Sequence, residues 1–153
     1  MAGPEGPPGF GDLRAPLAQR KEAGETRVLK AVLIDSDVLI EVARGRDHTI
    51  LARWEELSRS DEAILCSPVT LAELWQGVRP HEQKALEELF HSLITLPIDA
   101  EVGRRAGEYF RQFSKSHRLE LGDALIAATA AIHKVELWTR NRRHYPEKDV
   151  EFY

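Results

Sequence analysis

A chain of 153 residues is about one domain's worth and can bury a sizeable core. Its 42% hydrophobic and 30% charged residues give the balance of a soluble globular protein rather than a disordered or membrane-spanning one. The net charge of −4 argues against nonspecific coating of nucleic acid, which needs many Lys and Arg, and Cys66, the only cysteine, excludes disulfides and multi-cysteine zinc sites.

Residues 1–26 carry the stretch G-P-E-G-P-P-G-F-G and show neither helical nor strand periodicity, so they read as a flexible tail ahead of one domain over 27–153. The apolar, partly β-branched run Ala31 to Ile34 ends in a carboxylate, Asp35, as a strand buried on both faces would. If that strand continued, Asp37 would lie on the same side as Asp35. Ile50, Leu51, Trp54 and Leu57 recur at helical spacing, and the run Ala63 to Cys66 leads to Ser67-Pro68, an N-cap and first helical residue. Glu73 falls two turns into that helix, among Leu71, Ala72, Leu74 and Trp75, which read as buried. Two further helices are marked by Leu86, Leu89, Phe90 and Leu93 after Pro80, and by Val102, Ala106, Tyr109, Phe110 and Phe113 after Asp99.

The small-residue helix D-A-L-I-A-A-T-A-A-I-H-K follows, opened by Asp123, then the short strand V-E-L-W-T and a last strand near Val150 to Tyr153. Strands separated by helices predict an α/β fold, a mostly parallel central sheet flanked by helices on both faces. No apolar stretch reaches the roughly 18 residues of a membrane span, and no cationic segment leads into an apolar run as in a secretory signal, which places the chain in the cytoplasm.

Ligands of such sheets bind beyond the carboxyl ends of the strands. The oxygen-bearing side chains there are Asp35, Glu73, Asp123 and Asn141, from four separate segments. Singly, each has an ordinary explanation as a cap, a turn former or a solvated residue. Jointly, clustered carboxylates repel one another and call for a cation, and hard oxygen ligands select Mg²⁺ or Mn²⁺. Arg140, Arg142 and Arg143 beside them read equally as a solvated turn or as phosphate contacts.

Four motifs stand in order: D-S-D-V-L-I at Asp35, S-P-V-T-L-A-E-L at Ser67, L-G-D-A-L-I-A-A-T-A at Leu121 and L-W-T-R-N-R-R-H-Y at Leu137. In that order and spacing, over about Leu29 to Tyr153, the chain resembles the PIN-domain ribonucleases, and among them the VapC-type toxins of type II toxin–antitoxin pairs. The resemblance implies a PIN-like sheet and a metal-dependent endoribonuclease. It puts Asp35, Glu73 and Asp123 on the family's three acidic positions, with Asp35 and Asp123 holding the metal and Glu73 serving the attacking water. Thr139 and Asn141 fall on the polar positions of the last motif, and His144 on its aromatic position. It further implies an RNA substrate, a homodimer and a cognate antitoxin docking in a groove by the site, for which Leu51, Trp54 and Trp75 are weaker candidates than core. The chain departs from the pattern at Asp37, where family members carry Asn, Ser or Thr, and in lacking a clear fourth acid near Asn141.

The rival enzyme reading is a haloacid-dehalogenase-like phosphatase using Asp35 as nucleophile and Asp37 as general acid in D-S-D. No downstream lysine motif or aspartate pair follows, and the length leaves little room for that fold with a cap. A catalytically silent RNA-binding PIN fold is the rival of another class, against which all three acids are present.

Overall fold

The computed structural model describes residues 30–153, together with a backbone ribbon in which β1 (Lys21–Glu22) and β2 (Glu25–Thr26) pair antiparallel. The tail expected over 1–26 otherwise lies outside the described residues.

The main sheet has four strands, β3 (Ala31–Ile34), β4 (Ala63–Cys66), β5 (Ile94–Thr95) and β6 (Glu136–Trp138), in the order β5-β4-β3-β6 with every neighbouring pair parallel. Helices α1 (Ser36–Arg44) and α2 (His48–Arg59) join β3 to β4, and α3 (Pro68–Gly77) and α4 (Gln83–His91) join β4 to β5. Helices α5 (Ala100–His117) and α6 (Leu121–His133) join β5 to β6. The expected last strand survives as a bridge: Phe152 pairs parallel with Leu137, whose N–H donates to the Glu151 carbonyl at 2.8 Å.

Alternation along the strands divides the core in two. Leu33, Leu65 and Leu137 face one side and pack with Val102, Ala106 and Tyr109 of α5 and Ala124, Ala127 and Ala128 of α6. Val32, Ile34, Cys66 and Trp138 face the other, against Val38 and Leu39 of α1, Ile50 and Leu57 of α2, Leu74 of α3 and Leu86 of α4. Helices therefore cover both faces, as the sequence implies. Trp54 and Trp75 pack against the second of these clusters, in keeping with a core rather than an interface role.

Two expectations change. The chain does not continue as a strand after Ile34: the Asp35 carboxylate accepts the Ser36 N–H and caps α1, so Asp37 reaches the site from a helical turn. Ala72 is exposed, because α3 turns only one stripe, including Thr70 and Leu74, towards the core. The helix at Ser67 forms as expected, with the serine side chain accepting the Val69 N–H at 3.2 Å and Pro68 in its first turn.

Candidate functional site

Strand order reverses at β3: the chain leaves it towards β4 on one side and returns as β6 on the other. A crevice opens beyond the carboxyl ends of strands at such a switch point. Those ends are Ile34-Asp35 and Trp138-Thr139, tied together by the Asp35 N–H donating to the Trp138 carbonyl at 2.9 Å.

Asp35 is buried, and its Oδ2 accepts two hydroxyls, Thr139 Oγ1 at 2.9 Å and Tyr145 Oη at 2.7 Å. Its Oδ1 accepts the Ser36 N–H at 2.8 Å. Three donors thus fix the carboxylate plane, and hydrogen bonds to the charged form offset part of the cost of burying it. The Thr139 hydroxyl also lies 3.4 Å from Asp37 Oδ2 and accepts the Asn141 N–H at 3.0 Å, so one side chain organises the turn after β6.

Asp123 lies in the first turn of α6, where the helix dipole favours an anion. Burial, then the charge of Asp35, pushes its carboxyl up to about 6. Burial and the same neighbour also raise Asp37, opposed by the Arg140 backbone N–H, which donates to Asp37 Oδ2 at 3.1 Å. Three acids therefore share one field with too little positive charge to balance them. Glu73 stands exposed on α3 against the start of α6: a Cβ added to Gly122 would lie 3.5 Å from its Oε1 and 3.3 Å from Val69 Cγ1. A glycine at 122 lets the two helices approach and sets Glu73 beside the turn that carries Asp123.

The structure thus gathers Asp35, Asp37, Thr139 and Asp123, sets Glu73 at their margin, and includes Asn141 through its backbone. His144, given the motif's aromatic position, is exposed, with Nδ1 3.9 Å from Asp123 Oδ2, and the neighbouring aromatic Tyr145 is buried. Burial and the Asp35 charge raise the Tyr145 phenol strongly, so it stays a donor. Arg140 is engaged inward, its Nη1 donating to Glu41 Oε2 at 3.1 Å, while Arg142 lies over the Phe152 ring at 5.0 Å. Arg143 is exposed.

Glu41 is buried and also accepts the Asp47 N–H at 3.1 Å, so Glu41→Leu leaves an amide without its acceptor and leaves the Arg140 guanidinium only its looser pairing with Asp47 at 3.9 Å. The expected cost is about 1–2 kcal/mol in urea unfolding, and no change in midpoint would contradict the assigned network. Sequence reasoning missed two groups. Tyr145 gives no signal that its hydroxyl reaches Asp35 across the fold. Glu147 is buried to 3% exposure with neither carboxylate oxygen hydrogen-bonded, and burial pushes its carboxyl up to about 7.

The residues fit a divalent ion. Asp35 and Asp123 are oxygen donors whose mutual repulsion a cation would relieve. Among the described residues no three His, Cys, Asp or Glu side chains already converge on one point. Two carboxylates, with waters and substrate phosphates completing the shell, is the arrangement Mg²⁺ commonly takes.

The family model of the PIN domain matches residues 32–149. Ribonuclease VapC10 of Mycobacterium tuberculosis is 40% identical over 117 residues, covering 75% of this chain and 86% of that protein. Ribonuclease VapC1 of Methanocaldococcus jannaschii is 34% identical over 138 residues, covering 89% and 90%. A toxin–antitoxin complex from Klebsiella pneumoniae holds a chain with the same fold, at a TM-score of 0.63 and 23% identity over 78% of this chain and 94% of that one. A family match over most of the chain, with relatives at this identity, does not favour the phosphatase alternative drawn from D-S-D, and the chain belongs to the PIN-domain family, in its VapC ribonuclease branch.

Proposed function

We propose that this protein is a divalent-metal-dependent endoribonuclease, the toxin of a toxin–antitoxin pair, with Mg²⁺ as its ion and Mn²⁺ as a substitute. The observation that carries this reading is the pairing of Asp35, oriented by two buried hydroxyls, with Asp123, whose carboxyl is raised first by burial and then by the Asp35 charge across the switch point. When bound, the ion polarises the phosphoryl oxygens and lowers the pKa of a water.

In this reading, Asp35 and Asp123 hold the ion, and Thr139 and Tyr145 keep Asp35 in its holding orientation. Glu73, exposed at the margin, orients the attacking water and takes its proton. Asn141 supports the turn after β6 and faces the substrate. Because water is the nucleophile, the ribose 2′-hydroxyl takes no part. End-group analysis of the RNA products tests this: 5′-phosphate and 3′-hydroxyl ends that persist when the cleaved nucleotide is 2′-deoxy support it, and 2′,3′-cyclic phosphate ends refute it.

Tyr145→Phe removes one of two hydroxyls on Asp35 Oδ2 and leaves the ring. Support of this kind is worth about 10–100-fold in metal affinity or activity. Cleavage should fall by that factor and recover partly at high Mg²⁺, and cleavage equal to wild type at limiting Mg²⁺ would remove Tyr145 from the account.

A groove of about 940 Å³ runs between α1, α3 and α4, with Glu73 on its edge. Ile40, Leu74, Leu86 and Leu89 give it apolar walls, and Arg44 and Arg79 lie among its lining. We assign it to the antitoxin, since an amphipathic segment lays its apolar face into such a groove and a segment there reaches Glu73. Of the described helices none is long and apolar enough to cross a membrane. We place the enzyme in the cytoplasm, with its RNA.

A further inference from the structure

Resting on the metal site proposed above, we infer that Asp149, clamped by Arg105 and Tyr109 of α5, is a positioning residue for Asp35 and acts through Tyr145. The Tyr145 hydroxyl donates to Asp35 Oδ2 at 2.7 Å, so the chain that places Tyr145 also aims that carboxylate.

The stretch after Tyr145 has little of its own to hold it. Among the described residues, no backbone–backbone hydrogen bond includes residues 146–150, and the chain rejoins the sheet only at Glu151, whose carbonyl accepts the Leu137 N–H. Within the stretch, Glu147 is buried with neither carboxylate oxygen hydrogen-bonded. A polar group buried without a partner costs free energy, so the closed path of this stretch needs a hold from outside. Two side-chain hydrogen bonds to α5 provide one, and both end on one atom. Asp149 Oδ2 accepts Tyr109 Oη at 2.6 Å and Arg105 Nη1 at 2.8 Å.

An exposed ion pair alone would contribute little. Here the carboxylate also takes a buried hydroxyl, and hydrogen bonds to an ionised acceptor belong to the stronger class. Burial, then the bond to Asp149, raises the Tyr109 phenol, so it stays a donor. Arg105 and Tyr109 stand four residues apart on α5 and share one of its faces. Tyr109 and Tyr145 belong to the same core cluster, which makes α5 a fixed frame for the stretch. Without the clamp, the stretch opens more often and the Tyr145 hydroxyl spends less time on Asp35.

The test uses the full chain with tyrosine labelled with ¹³C at Cζ, in chelator and mixed H₂O and D₂O, where a slowly exchanging hydroxyl splits the carbon signal. The chain has three tyrosines, so Tyr→Phe variants assign the signals. Wild type should show slow exchange at Tyr145. Asp149→Ala and Tyr109→Phe should speed it by about tenfold, the factor for one lost hydrogen bond to a charged group. Leu57→Ala, a core change on the other sheet face, should leave it at the wild-type rate while the chain is folded. In cleavage, Asp149→Ala should raise the half-saturating Mg²⁺ about three- to tenfold, less than the loss of a direct partner of the ligand would. In a Tyr145→Phe background it should raise it no further. Tyr145 exchange that is fast in wild type, unchanged in Asp149→Ala or equally sped by Leu57→Ala overturns the inference. So does a Mg²⁺ requirement unmoved by Asp149→Ala, or moved equally with Tyr145 absent. Wild-type cleavage that persists in chelator overturns the metal site instead, and the exchange rates then decide the Asp149 clamp alone.

Discussion

Asp35→Asn should lower kcat/KM for RNA cleavage by about 10³-fold, the size that several kcal/mol of lost metal polarisation implies. The effect should exceed that of any other single change because Asp35 has two duties. It provides a charged oxygen at the switch point, and it receives the hydroxyls of Thr139 and Tyr145 and the Ser36 N–H. Asparagine keeps the size and one acceptor oxygen but presents an N–H₂ either to the hydroxyl donors or to the ion. The fold should survive, since the core clusters on both sheet faces are untouched. Circular dichroism and single-turnover cleavage separate the two: a folded variant with near wild-type cleavage would remove Asp35 from the metal site.

Without divalent metal, the protein should lose stability as pH rises from about 4 to about 7. Asp123 moves from an ordinary 3.8 up to about 6 in the fold, and Glu147 from 4.5 up to about 7. The folded state therefore holds these protons more tightly than the unfolded chain. Below pH 4 both states are protonated and nothing is lost. As pH rises through the unfolded values, the unfolded chain ionises freely while the folded carboxyls resist, so stability falls until pH passes the folded values and then levels off. The Glu147 rise is worth about 3 kcal/mol, and the Asp123 rise adds a smaller share because solvent reaches part of that group. Urea unfolding in chelator should give a lower midpoint at pH 8 than at pH 5. Mg²⁺ should restore the Asp123 share only, and Glu147→Gln should raise stability at pH 8 with or without metal. Equal midpoints at pH 5 and pH 8 in chelator would show that neither carboxyl is strained by folding.

Much of this was legible in the sequence because the signals are local. The run Ala31 to Ile34, the Ser67-Pro68 start of α3 and the alanine-rich α6 each carry their structure in their own residues. β5 was not legible, since Ile94–Thr95 is two residues long and becomes a strand only by pairing beside Leu65 and Cys66. α1 was hidden for the opposite reason: V-L-I-E-V after Asp35 is as apolar as the strand before it, and only the cap at Asp35 ends β3. At the site, three acids could be named because carboxylates at strand ends and helix starts are visible as types. The Tyr145 hydroxyl meets Asp35 across 110 positions of chain, and Glu147 is buried by packing around its loop, relations that no local pattern records.

The central claim is that Asp35 and Asp123 together hold the ion with which this chain cuts RNA. The most direct measurement maps new 5′ ends in total RNA incubated with purified, antitoxin-free protein, in Mg²⁺ and in chelator, for wild type, Asp35→Asn and Asp123→Asn. Discrete cuts in Mg²⁺ that vanish in chelator and in both variants are the result expected. Cuts that persist in chelator, or in either variant at wild-type rates, would contradict it.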